Sequence, residues 1–228
     1  MRRFYLVPII HMSADLGTLA QAMDRRGIVE LGKDFWLRHK ETVTRFWDSI
    51  AEFFDSLEVK GFKIYQDGLI ADGEMGMRIV DEGVKEGSKN YEIISGLLKR
   101  GATLVRTEDL PLVKKEYDSI GKIAHSKSSR GKIIASLRYK LLQGKLLKER
   151  DDFIAKRIDE TLSDGETGIL FIGAYHDVIP KLPDDIEINE VKKTEKIREY
   201  HRLLFNPRRD KKHFEQLAEY LISPIILN

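Results

Sequence analysis

Gly168-Ile169-Leu170-Phe171-Ile172-Gly173-Ala174-Tyr175-His176 is the stretch whose reading decides the fold. The run from Ile169 to Ile172 is apolar without alternation and lies between glycines, the pattern of a short strand buried on both faces inside a parallel sheet. Gly173 is expected to let the chain turn sharply at the carboxyl end of that strand. His176 then falls just beyond it, in the crevice where open α/β sheets hold their ligands.

Upstream of this strand a long helix is expected, with Leu142, Leu146, Phe153, Ile154, Ile158 and Leu162 in register and Gly144 as a place where it could bend. Further back, Phe4 to Ile10 reads as a first strand, awkward only at Pro8, which cannot donate to a ladder. Ser13 is a cap candidate for a helix starting at Ala14. Phe62 to Gly68 and Ala102 to Val105 read as a second and a third strand. Between them, helical spacing runs from Glu74 to Val84 and from Tyr91 to Leu98, the latter after the cap candidate Ser88. Residues 34–57 carry Phe35, Trp36, Phe46, Trp47, Phe53 and Phe54 at helical steps, an aromatic stripe read as core, with a hydrophobic substrate groove or a dimer surface as the other reading. Another helix is expected from Leu112 to about Ile123, then a loop over Ser126 to Gly131. After the central strand, Ile186 to Val191 alternates and reads as an edge strand, and two helices, Thr194 to Phe205 and Lys211 to Leu221, close the chain. Strands alternating with helices predict an α/β three-layer sandwich. Its sheet is expected to be mostly parallel with about five strands and helix-rich insertions, in one domain over 1–228 with a helical C-terminal extension from about 194.

Composition limits the chemistry. The chain has no cysteine, so disulfides, thiolate metal sites and a cysteine nucleophile are all excluded. Its 39 basic and 37 acidic residues nearly cancel, which argues against nucleic acid as a partner. The surface for such a partner would be Lys122, Lys127, Arg130, Lys132, Arg138 and Lys140. No stretch approaches the ~20 apolar residues that span a bilayer, so no membrane is expected and the cytoplasm is the expected compartment.

The residues placed just after the strands suggest a site. His11 comes after the first, Asp67 after the second, Glu108 and Asp109 after the third, His176 and Asp177 after the fourth. A parallel sheet brings such ends to one edge. Two imidazoles and carboxylates without sulfur suit a divalent cation, Zn²⁺, Mn²⁺ or Fe²⁺. His11, His176, Asp67 and Glu108 are the candidate ligands. Glu149 is the candidate general base, and Arg150 the candidate stabiliser of developing negative charge. His39, His201 and His213, set among charged residues on helices, read as solvated.

The Glu149-Arg150 pair on a helix, followed by Ile169-Leu170-Phe171-Ile172-Gly173-Ala174-Tyr175-His176, resembles the TraB/PrgY group, which stands with TIKI-type metalloproteases, ChaN and erythromycin-esterase-like proteins. Pro8-Ile9-Ile10-His11 keeps the histidine of that group's first Gly-x-x-His but not the glycine, and Asp67 stands where a glutamate is usual. The resemblance implies a metal-dependent hydrolase of the peptidase or esterase kind, acting on a peptide or small-molecule substrate through His11, His176 and acidic partners. The alternative is a non-catalytic small-ligand or protein-binding regulatory module on the same fold. The aromatic stripe leaves room for a homo-oligomer.

Overall fold

A computed structural model of the chain describes residues 1–12, 15, 20–124, 129–206 and 210–227, and the backbone alone at 23, 120, 122–124 and 129–141. Ser13 and its helix start at Ala14, residues 126–128 of the expected loop, and the side chains of the basic set 122–140 lie outside the described residues; 129–131, expected in that loop, begin a long helix instead.

Five strands form one sheet in the order β3-β2-β4-β1-β5. They are β1 (Arg2–Ile9), β2 (Lys63–Gln66), β3 (Thr103–Leu104), β4 (Thr167–Gly173) and β5 (Ile186–Glu190). Every pairing is parallel, so all carboxyl ends lie on one edge. Around the sheet run α1 (Ala20–Leu31), α2 (Lys33–Asp55), α3 (Gly73–Lys85), α4 (Lys89–Lys99), α5 (Leu110–Ala124), α6 (Ser129–Thr161), α7 (Thr194–Leu204) and α8 (Lys211–Ile222).

Period-two alternation within the central strands divides the core in two. Val7, Ile9, Ile169 and Phe171 face the side covered by α2, α4, α7 and α8. Phe4, Leu6, Leu170 and Ile172 face the other side, covered by Ile154 and Ile158 of α6 and by Leu162 just past its end. This is the expected three-layer sandwich. The aromatic stripe of α2 is core: Trp36, Phe46, Trp47 and Phe54 are buried, with Phe35 and Phe53 half-buried against them.

Pro8 is accommodated by topology. Val191 N donates to Leu6 O, so the polar groups of Leu6, and by alternation the imide of Pro8, face the β5 side. The β1–β5 pairing ends at Leu6–Glu190, leaving no partner there for a missing N–H. The chain turns sharply after Gly173 as expected, though without a positive φ at the glycine; its lack of a side chain serves a further purpose, at the sheet edge. Ser88 precedes α4 but its side chain makes no capping hydrogen bond.

Candidate active site at the carboxyl edge of the sheet

β4 ends at Gly173, and a tight turn closed by His176 N donating to Gly173 O (3.0 Å) brings the His176 side chain back over the sheet edge. Arg198 of α7 holds this turn, donating from Nε to Ala174 O (2.5 Å) and from Nη2 to His176 O (2.8 Å). On the neighbouring strand Asp67 follows Gln66 directly, and its N–H continues the ladder to Phe171 O at 2.8 Å. The two strand ends are therefore fixed side by side.

The third contributor is α6. Its buried stripe carries Ile154, Ala155 and Ile158 over the sheet, and the same face continues backwards through Asp151, Arg150 and Leu146. Where the helix passes beyond the edge of the sheet, that stripe changes from apolar to charged. His176 Nδ1 lies 2.5 Å from Asp151 Oδ1, and Asp151 Oδ2 accepts from Asp177 N at 2.9 Å. The other ring nitrogen, Nε2, stands 3.4 Å from Asp67 Oδ2. That same Asp67 oxygen accepts from Gly173 N at 3.1 Å. A Cβ at Gly173 would lie 3.1 Å from it, so the glycine gives the carboxylate room to approach the backbone.

Arg150 is the hub of the charges. Its Nη2 donates to Asp67 Oδ1 (2.5 Å) and to Glu108, its Nε to both oxygens of Glu108 (3.2 and 3.3 Å), and its Nη1 to Glu116. The Glu108 side chain has 0% exposure, that of Arg150 7% and that of His176 6%.

The electrostatics follow from this packing. Burial alone would lower the His176 pKa, but Asp151 and Asp67 outweigh it and raise it to about 9. Burial would raise Asp67, but the adjacent His176 imidazolium, with Arg150 and the Gly173 N–H, holds it well below the usual carboxylate range. For Glu108 burial prevails and pushes its carboxyl up against the pull of Arg150.

A cavity of about 460 Å³ opens over Asp67, Arg150 and His176, with His11, Tyr175 and His201 on its far wall. His11 reaches this cavity from the end of β1, where Trp47 Nε1 donates to Ile10 O at 3.0 Å. Its side chain is 57% exposed, with Nδ1 3.8 Å from Asp15 Oδ2, and the hydrogen bond with Asp15 raises its pKa. The structure thus brings together His176, Asp67 and Arg150, with His11 at the rim. Glu108 meets them only through Arg150. Glu149 is turned away: its carboxylate faces Lys115 and Lys145 and does not border the cavity. Among the described residues, no three His, Asp or Glu side chains are grouped so as to hold a metal ion.

Comparison with protein-family models, curated proteins and solved structures finds no match.

Several contributors were not singled out by sequence reading: Asp151, Glu116, Tyr175 and His201. Asp151 was detectable, because it sits four residues before Ala155 and seven before Ile158 on the buried stripe. By the same spacing Glu149 falls off it. Of the histidines read as solvated, His39 and His201 are partly enclosed, whereas the His213 side chain is 39% exposed. His39 Nδ1 lies 2.8 Å from Tyr200 Oη, and His201 stacks on Tyr175; burial lowers both to about 4. His213 pairs with Glu199 at 3.1 Å.

Proposed function

We propose that this chain is a hydrolase of esters or amides whose reaction takes place over Asp67 and His176, with a divalent cation held by these two and His11 at the rim. The observation that carries the reading is the 3.4 Å between His176 Nε2 and Asp67 Oδ2. That is long for a hydrogen bond, but two donors sharing one tetrahedral cation at about 2.0–2.2 Å stand about 3.4 Å apart. Asp151 on Nδ1 is the kind of outer carboxylate that orients a ligating imidazole and fixes its tautomer. The resemblance of residues 149–176 to the TraB/PrgY group supports the same reading.

Such a cation would polarise a substrate carbonyl and lower the pKa of water. The chain's own residues do the rest. The Gly173 N–H and Arg150 hold Asp67 in one rotamer aimed at the cavity. Asp151 keeps the His176 ring in the orientation that presents Nε2. Arg150, bordering the cavity, neutralises negative charge that develops on the carbonyl oxygen. In the unliganded chain the protonated His176 ring sits between Asp151 and Asp67 and balances their charge.

A second reading rests on the absence of a three-donor group among the described residues. Here His176, backed by Asp151, acts as a general acid without a cation. Metal analysis of the purified protein separates the two. About one equivalent of Zn²⁺, Mn²⁺ or Fe²⁺, lost in Asp67→Ala and His176→Ala, is the expected result. Ester hydrolysis that proceeds unchanged in metal-free protein with excess chelator would leave only the second reading.

A further inference from the structure

The cavity over Asp67 and His176 does not end at the sheet edge. His11, Tyr175 and His201 line it on one side and line a second cavity, of about 370 Å³, on the other. The second cavity lies between α2 and α7, and its other walls include Ile10, Trp36, Val43, Leu204 and Phe205. Away from His11 and His201, the polar groups along it are already engaged. Trp36 Nε1 donates to Asp24 (3.0 Å), Lys40 pairs with Asp24 (3.1 Å), Thr44 donates to Lys40 O (3.1 Å), and His39 meets Tyr200. A sugar, nucleotide or second charged group would find little to bind there, whereas an aliphatic chain would find aromatic and branched walls. Its volume falls within the ~300–1,000 Å³ of small-molecule pockets, which are lined mainly in this way.

We propose that this second cavity is an acyl-chain pocket: the substrate's carbonyl sits over Asp67 and His176, and its aliphatic chain passes between His11, Tyr175 and His201 to lie against Trp36 and Val43. The assignment of the carbonyl end rests on the proposed hydrolase; the occupancy of the apolar cavity does not. Tyr175, 60% exposed and stacked on His201, stands where the two cavities meet and would cover the chain's entry.

Straight-chain methyl ketones (2-pentanone to 2-decanone) are suitable probes, since they have a neutral carbonyl and cannot be hydrolysed. Titrated into the full chain and followed by tryptophan fluorescence and calorimetry, they should bind with a Kd that falls about three- to fourfold per added methylene until the cavity is full. Thr44→Arg, which puts a charge into the cavity, should abolish that gradient. Phe205→Asp, at a half-exposed position at the end of α7 where folding is not at stake, should weaken it. A Kd independent of chain length, or a gradient unchanged in Phe205→Asp, would overturn the pocket. The 4-nitrophenyl acetate-to-octanoate series keeps the two ideas apart. Ketones that bind with the gradient while no ester is cleaved count against the hydrolase and leave the pocket standing. Esters cleaved at equal rates for all chain lengths, with no ketone gradient, do the reverse.

Discussion

Arg150 and Arg2 are both buried arginines with carboxylate partners, yet removing them should have unequal consequences. Arg2 pairs with Asp185 (2.6 Å) and Asp159 (2.9 Å), whose side chains are more than half exposed. In Arg2→Met those carboxylates return to water, so the loss should be about 1–2 kcal/mol. Arg150→Met would strand Glu108, which no solvent reaches, and deprive Asp67 of a partner. An uncompensated buried charge typically costs about 3–5 kcal/mol. Urea unfolding of the two variants measures the difference, and equal losses would mean the Arg150 network is not as dry as its packing implies. At this scale the residue types of the site were legible but their roles were not. His176, Asp67 and Arg150 were read as site residues from their places after strands and on a helix. That Glu108 serves Arg150, and that Glu149 faces two lysines instead of the cavity, depends on side-chain directions no spacing after a strand reveals.

Helix glycines show how an element's contacts decide the sign of a substitution. A Cβ at Gly76 in α3 would stand 2.7 Å from Ala71 O and 2.9 Å from a Leu104 methyl, and the first of these is backbone that cannot swing aside. Gly76→Ala should therefore destabilise by about 1–3 kcal/mol, despite the helix propensity it gains. Gly96 in α4 has nothing within 4 Å of that position, so Gly96→Ala should stabilise by about 0.5–1 kcal/mol. Thermal melts of the pair should move in opposite directions. The elements themselves were legible because each has a strong period. Expected and observed limits of α2, α3, α4 and α7 differ by a few residues at most, and the edge strand lies where alternation put it. α6 shows where periodicity falls short: it marks the buried stripe, but not the point at which the helix outruns the sheet and its buried face becomes charged.

For the whole molecule, His176 joins three elements, with its ring on the β4 turn, Asp151 on α6 and Asp67 after β2. Its pKa is about 9 in the fold against an ordinary 6.5, so the folded state holds the proton more tightly. This contribution is complete below about pH 6.5 and is lost as the pH rises through 9; by the linkage relation it is on the order of 3 kcal/mol. Asp67, depressed below its ordinary 3.8, contributes above that value and is lost in acid. Stability from this network should therefore peak between about pH 4 and 6.5. Chemical denaturation at pH 5.5 and 9.5 should show the loss in the native chain and a much smaller one in His176→Gln.

The amino-acid sequence by itself determined the alternation of strands and helices, the parallel character of the sheet and the placing of titratable groups after its strands. It could do so because burial on two faces, burial on one face and helical packing each leave a different hydrophobic period along the chain. Only the tertiary structure decided that β4 lies between β1 and β2, and hence that His176 meets Asp67 and that Gly173, besides ending the strand at a turn, leaves space for a carboxylate. It also decided that an apolar cavity adjoins the charged one. Strand order and side-chain direction arise from contacts between residues a hundred and more positions apart, as in the pairing of Arg2 with Ile186, and such contacts leave no period in the sequence.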